Sequence, residues 1–226
     1  MTKRLIWADK RLQYRFRDSK LLDLALTHRS AAKHNNERLE FLGDAFLNFS
    51  IAQKLYEIRS DDSEGDLSRL RASLVKGATL AKLGRELEIS PLIVMGAGEQ
   101  RSGGANRSST IANAVEAVIG AVLLDGSSEA ADSCVTRLFE SRLKNLPSAD
   151  SLKDAKTKLQ EWLQGRGHGL PIYEVESVTG EPHQQSFIVS CGLPDSGRST
   201  TGRGQSRRHA EQDAAEQMLS ELDSDG

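Results

Sequence analysis

Between Asn35 and Ala52 the chain reads NNERLEFLGDAFLNFSIA, and three of its residues could do chemistry: Glu37, Glu40 and Asp44. Spacings of three and four put the three carboxylates on one face of a helix, where like charges repel. The rest of the circumference is largely apolar, with Leu39, Phe41, Leu42, Phe46, Leu47, Phe49 and Ile51. One reading is a solvated acidic stripe. Such a stripe should be broad and mixed with other polar groups, whereas carboxylates in apolar surroundings cost on the order of several kcal/mol each unless a cation or donors compensate. The only basic residue nearby in the sequence is Arg38.

A second stretch, STIANAVEAVIGAVLLDG, carries Glu116 as its one charged side chain between residues 111 and 124, with Asn113 one turn earlier on the same face. Alone, Glu116 reads equally as a structural hydrogen-bond acceptor. Taken with the first cluster, Glu40, Asp44, Glu116 and the Asn113 amide oxygen make a candidate oxygen cage without histidine or cysteine. That composition suits Mg²⁺ or Mn²⁺ rather than zinc. A two-metal carboxylate site can hydrolyse a phosphodiester by activating water and stabilising the leaving oxygen, with no nucleophilic side chain.

These residues need helices to position them. Helical spacing runs over residues 5–16, 21–29 and 36–57, and a polar break, RSDDSEGD, follows. Residues 67–87 read as one long amphipathic helix, its start marked by Ser63 three residues before Asp66 in the manner of a capping box. A glycine- and serine-rich loop, GAGEQRSGGANRSS, precedes the second apolar helix at 109–124, and another helix spans 129–144. No convincing strand occurs in this part. The pattern breaks at NLPSADSLKD, expected to be a linker at 147–153 between domains at 1–146 and 154–223. Beyond it, a helix at 155–164 leads to PIYEVESVTG, QQSFIVSCGL and GRSTTGRG, which read as three strands. A closing helix, SRRHAEQDAAEQMLSEL, is opened by Ser206 as N-cap. The expected fold is an all-α domain followed by a small α-β-β-β-α domain.

Composition sets outer bounds. The chain has 226 residues and a net charge of −2, with a sequence pI of about 6.2, a weak argument against a nucleic-acid partner. Residues 1–150 hold 22 Lys plus Arg against 20 Asp plus Glu, and residues 151–226 hold 8 against 12, so any phosphate contact must come from local clusters. Arg207 and Arg208 in the first turn of the closing helix are one such cluster, where the helix dipole also favours a phosphate; a solvated helix start is the plainer reading. Cys134 and Cys191 have no metal-type spacing, and the charged first twenty residues are unlike a secretory signal, so a reduced, cytoplasmic protein is expected. The apolar run at 111–124 is too short to span a bilayer. His28, His34 and His168 lack metal-ligand spacing and read as structural or surface residues.

NERLEFLGD resembles the signature of the ribonuclease III family, and the likeness continues through ALTHRS, EGDLSRLRASLV, GEQRSGG and VEAVIGA in order. From Asp154 onward, DAKTKLQEWLQ, PIYEV, GEPHQQSF and GRGQSRRHAEQDAAEQML resemble a double-stranded RNA-binding domain. The resemblance implies a homodimeric, Mg²⁺-dependent endonuclease, with Mn²⁺ as substitute, that cuts double-stranded RNA to leave 5′-phosphate and 3′-hydroxyl ends. Its natural substrates would be ribosomal and messenger precursors. Carried over by position, Glu40, Asp44 and Glu116 would be catalytic metal ligands, and Glu37 would support the site. Phe41 would pack across the dimer interface, its other reading being an ordinary core aromatic. Thr157, Gln160, Glu161 and His183 would reach minor grooves of the duplex. Ser206, Arg207 and Arg208 would meet its backbone. One departure stands out: the family pattern has an aspartate where this chain has Asn113. A second expectation therefore remains, a double-stranded RNA-binding protein of the same fold that cleaves weakly or not at all.

Overall fold

The computed structural model describes residues 2–181 and 184–224. It separates into two compact units, residues 1–152 and 153–226.

The first unit is helical. It comprises α1 (Lys3–Trp7), α2 (Ser19–Ala25), α3 (Glu37–Ile58), α4 (Glu64–Val75), α5 (Gly77–Glu86), α6 (Ala97–Arg101), α7 (Ser108–Asp125) and α8 (Ser128–Lys144). At its centre lies α7, against which α2, α3, α5 and α8 pack. Its residues from Ala114 through Val122, Glu116 excepted, are buried, so this helix, apolar nearly all round, is the core itself. By length and composition α7 could cross a membrane, contrary to the reading of its apolar run as too short; its burial is what marks it as a core helix.

Other boundaries differ from the sequence expectation for local reasons. Helix α1 widens into a π-type turn, Ala8–Leu12, and stops where Gln13 adopts a left-handed conformation at φ 51°. The expected long helix at 67–87 is two helices. Lys76, at ψ 146°, both ends α4 and precedes α5, leaving the Ser73 carbonyl to accept from the Thr79 hydroxyl at 2.7 Å. Ser63 caps α4 as expected, its Oγ accepting from the Asp66 amide at 3.2 Å. The Gly/Ser loop contains α6 and a 3₁₀ turn, Gly104–Asn106, and a parallel bridge joins Thr27 to Val94. Within the segment expected to be a linker, Ala149 and Leu152 pack on the first core.

The second unit runs α9 (Ala155–Gln164), β1 (Ile172–Thr179), β2 (Ser186–Leu193), β3 (Arg198–Gly204) and α10 (Arg207–Ser224), the order expected. Its antiparallel sheet has the order β1-β2-β3, with Glu174 opposite Ser190, Val189 opposite Gly202, and a bulge between Val175 and Ser177. Leu159, Leu163, Cys191, Leu193, Ala214, Ala215 and Met218 form its core. A Cβ on Gly202 would lie 2.1 Å from the Ala214 nitrogen, so the GRG pattern of β3 is what lets α10 lie directly on the strand.

Candidate functional site

Both clusters flagged in the sequence sit on the contact between α3 and α7. The helices meet backbone to backbone: a Cβ on Gly43 would fall 1.8 Å from the Glu116 carbonyl oxygen, and one on Gly120 would fall 2.3 Å from that of Leu39. This approach carries Glu40 and Asp44 to Asn113 and Glu116. The Asn113 side chain lies where its amide favours the charged form of Glu40. Glu116 is half-buried, and burial, then the charges of Asp44 and Glu40, push its carboxyl up to about 7. Burial likewise raises Glu40, against the Asn113 amide, with Glu37 and Asp44 raising it further and Arg29 lowering it. Asp44 is exposed and accepts from Asn48 Nδ2 at 2.9 Å.

Glu37 lies at the edge, exposed, at the start of α3, where its own amide donates to Asn35 Oδ1 at 3.0 Å. Its basic neighbour is Arg29, at 3.8 Å, and not Arg38. The loop that bears Arg29 is fixed by long-range bonds: the His28 amide donates to the Val94 carbonyl at 2.9 Å, and the Gly96 amide to Ser30 Oγ at 3.1 Å. His28 Nδ1 engages Ser30 Oγ at 2.8 Å, the structural role expected of it. Arg29 and Gly43 were the two contributors missed in sequence. A glycine inside an apolar helical run was the available signal for close backbone approach.

Among the described residues, no three His, Cys, Asp or Glu side chains already converge as a metal cage. The donor chemistry nevertheless suits a hard divalent cation: carboxylates and an amide oxygen, electrostatically coupled, with one of them held partly protonated by burial and repulsion.

Phe41 is 78% exposed, which removes the core reading. With Phe49 and Tyr56, also exposed, it forms an aromatic stripe along the outside of α3. A patch of this kind marks an interaction surface.

In the second unit, the N-terminal turns of α9 and α10 come together. The Lys156 amide donates to Gln212 Oε1 at 3.1 Å, and Asp154 caps α9 by accepting from the half-buried Thr157 at 2.9 Å. Ser206 caps α10 through the His209 amide at 3.2 Å. Arg207 and Arg208 are exposed, as are Gln160 and Glu161. Two of these charges are engaged, contrary to a simple solvated placement: Arg207 Nε bonds Glu211 Oε1 at 2.8 Å, and Glu161 pairs with Lys153. His183 lies outside the described residues.

Known proteins share this arrangement. Residues 18–143 match the family described as Ribonuclease-III-like, and residues 155–222 match the double-stranded RNA binding motif. Ribonuclease 3 of Alkalilimnicola ehrlichii is 52% identical over 213 residues, 94% of this chain and 93% of that protein. Ribonuclease 3 of Nitrosococcus oceani is 54% identical over 215 residues, 94% and 92% of the two chains. The chain belongs to the ribonuclease III family. It is accordingly an endoribonuclease of double-stranded RNA and a metal-dependent nuclease, and the alternative of a binding protein without cleavage is not favoured. Among solved structures, the ribonuclease III nuclease domain from Campylobacter jejuni superposes with a TM-score of 0.60 at 41% identity, covering 62% of this chain and 98% of that one. That structure is described as flexible in a region involved in dimer formation.

Proposed function

We propose that this chain acts as a Mg²⁺-dependent homodimer, with Mn²⁺ as substitute. Glu40, Asp44, Glu116 and the Asn113 amide oxygen would hold the ion, with Glu37 and Arg29 at its margin. The observation that carries this reading is the convergence of α3 and α7 on the half-buried Glu116, whose charge is opposed by Asp44 and Glu40. A bound divalent ion would supply activation of water and stabilisation of the leaving 3′-oxygen. The chain's own part is to hold the carboxylates oriented for the ion, and to keep Asp44 open to solvent where a phosphate can approach. Cleavage leaves 5′-phosphate and 3′-hydroxyl ends, on ribosomal and messenger precursors in the cytoplasm. Two free, buried cysteines accord with a reducing compartment.

Incubation of a long perfect RNA duplex with the chain in MgCl₂ or EDTA tests the proposal. Cleavage in the first and none in the second is expected. Duplex binding without cleavage at any Mg²⁺ or Mn²⁺ concentration would sink it.

The aromatic stripe of Phe41, Phe49 and Tyr56 is where the second copy is placed, in line with the dimer-forming relative. Sedimentation should show a dimer for the chain and a monomer for Phe41→Asp. A dimer that survives the substitution removes α3 from the interface.

At position 113 the amide favours the charged form of Glu40, where an aspartate would oppose it with a like charge. It also contributes one carboxylate fewer to the ion. Asn113→Asp should therefore lower the Mg²⁺ concentration for half-maximal cleavage, on the order of tenfold. Initial rates against Mg²⁺ concentration read this out. No gain at any concentration would mean that Asn113 is not a ligand position.

The duplex-binding face is assigned to Thr157, Gln160, Glu161, His183, Ser206, Arg207 and Arg208. Replacing both arginines by alanine should weaken duplex binding and reduce the slope of log K against log salt by up to about 2, each phosphate contact contributing roughly 0.9. A salt titration that superimposes on the parent's would contradict this.

A further inference from the structure

Glu211 stands on the duplex-binding face, where an acid ought to be unwelcome. Its carboxylate is largely covered, at 12% exposure, and both oxygens are used: Oε2 accepts from Lys156 Nζ at 2.6 Å and Oε1 from Arg207 Nε at 2.8 Å. Lys156 is fixed further by its backbone bond to Gln212 and by the Tyr173 ring, whose centroid lies 4.2 Å from Nζ. Two helices, α9 and α10, thus converge on one carboxylate bridging two cations, with the Tyr173 ring of β1 against one of the cations. Burial works against the Glu211 charge, yet the hydrogen bonds from Lys156 and Arg207 outweigh it and keep the carboxyl below its ordinary range.

We propose that Glu211 is a positioning residue for RNA binding, holding Lys156 and Arg207 as a preformed pair of phosphate-contacting cations, and that Lys156 belongs to the duplex-binding face. The inference rests on the assignment of that face under Proposed function. Long basic side chains lose rotamer freedom when they are immobilised on a phosphate, and a pair already held in the free protein loses less. The Arg207 side chain is 62% exposed and its guanidinium keeps N–H groups beyond Nε, and Lys156 retains two further N–H donors. Glu211 therefore spends one negative charge to fix the direction of two positive ones. Simple charge counting and positioning predict opposite signs for its removal. Neutralising an acid beside RNA should tighten binding by Coulomb attraction alone, whereas release of two ordered cations should weaken it.

The experiment measures the Kd of the full chain for a short RNA duplex, without divalent metal, across a salt series. The variants are Glu211→Gln, Glu211→Asp, the pair Lys156→Ala/Arg207→Ala, and that pair combined with Glu211→Gln. Measurements are made at a temperature where circular dichroism shows each variant folded. Glu211→Gln, despite the added net positive charge, is expected to bind roughly tenfold more weakly. Glu211→Asp, which keeps the charge but shortens its reach, should lose part of that. In the background lacking Lys156 and Arg207 the Glu211→Gln effect should vanish. Unchanged or tighter binding by Glu211→Gln overturns the proposal, as does a loss that persists undiminished in that background, since a purely structural role would behave so. If Arg207→Ala/Arg208→Ala is itself without effect, the assignment of the face is what has failed. If that variant weakens binding and Glu211→Gln does not, only the positioning role is lost.

Discussion

Glu116→Gln is expected to reduce cleavage of a duplex by roughly 10²- to 10³-fold or more, while leaving duplex affinity unchanged. The size follows from the several kcal/mol a metal-assisted site contributes to transition-state stabilisation, at about 1.4 kcal/mol per tenfold. The selectivity follows from place: Glu116 belongs to the helical unit, and the basic cluster assigned to RNA belongs to the other. The same variant should be more stable than the parent at high pH without metal. In the folded chain the Glu116 carboxyl sits at about 7 against an ordinary 4.5. A raised folded pKa means that the fold favours the protonated acid, so its contribution to stability is full below about 4.5 and is lost as pH rises through about 7. Glutamine cannot ionise and avoids that loss. Melting curves in EDTA at pH 5.5 and 8.5 should therefore diverge for the parent more than for Glu116→Gln, and excess Mg²⁺ should close the gap for the parent. A parent whose stability is flat across that range would show that burial, together with Asp44 and Glu40, does not raise Glu116 as described. A variant that still cleaves would remove Glu116 from the chemistry.

The parts of this site that were legible in sequence are those set by local periodicity. Acids three and four residues apart on an otherwise apolar helix, and one acid in a second apolar run, announce a polar site inside a core. The same periodicity, helped by Ser63, Ser206 and turn residues, located nearly all the helices and the three strands. It was blind where tertiary contacts decide. Gly77 is only a weak local hint of the break between α4 and α5, and the lysine before it tolerates an extended conformation without advertising it. Arg29 reaches Glu37 only because the Thr27–Val94 bridge and the Ser30–Gly96 bond fix a loop across a long stretch of chain. Glu211 and Lys156 are 55 residues apart, and only the packing of α9 on α10 makes them partners. Periodicity alone was equally blind to the exposure of Phe41, which only the family resemblance implied. An aromatic among leucines reads as core until the opposite face of α3 is seen to be the one on α7. The functional residues stood out because they break the local apolar pattern; the residues that aim them keep to it.

Gly43→Ala should be the most damaging conservative change in the helical unit. In a helix without neighbours, alanine would stabilise by about 1 kcal/mol relative to glycine. Here the added methyl would lie 1.8 Å from the Glu116 carbonyl oxygen, 2.7 Å from its carbon and 2.9 Å from the Gly120 nitrogen. All three are backbone atoms of α7, so no side chain can swing aside, and the helices must part. Overpacking of this kind costs about 1–3 kcal/mol, and a clash with backbone belongs at or above the upper end. The chemistry should suffer more than the stability. Parting α3 from α7 by about 1 Å draws Glu40 and Asp44 away from Asn113 and Glu116, and misplacement on that scale can cost about 10²-fold in rate. Gly77→Ala is the control, because nothing lies within 4 Å of its added Cβ; it should melt at or slightly above the parent temperature and cleave normally. Gly120→Ala, whose Cβ would meet the Leu39 carbonyl oxygen at 2.3 Å, should reproduce the Gly43→Ala defect from the other side of the contact. Thermal melts and initial cleavage rates at saturating Mg²⁺ decide the matter. Parent-like behaviour of both glycine variants would mean that the close approach of α3 and α7 does not set the distance between the two halves of the site.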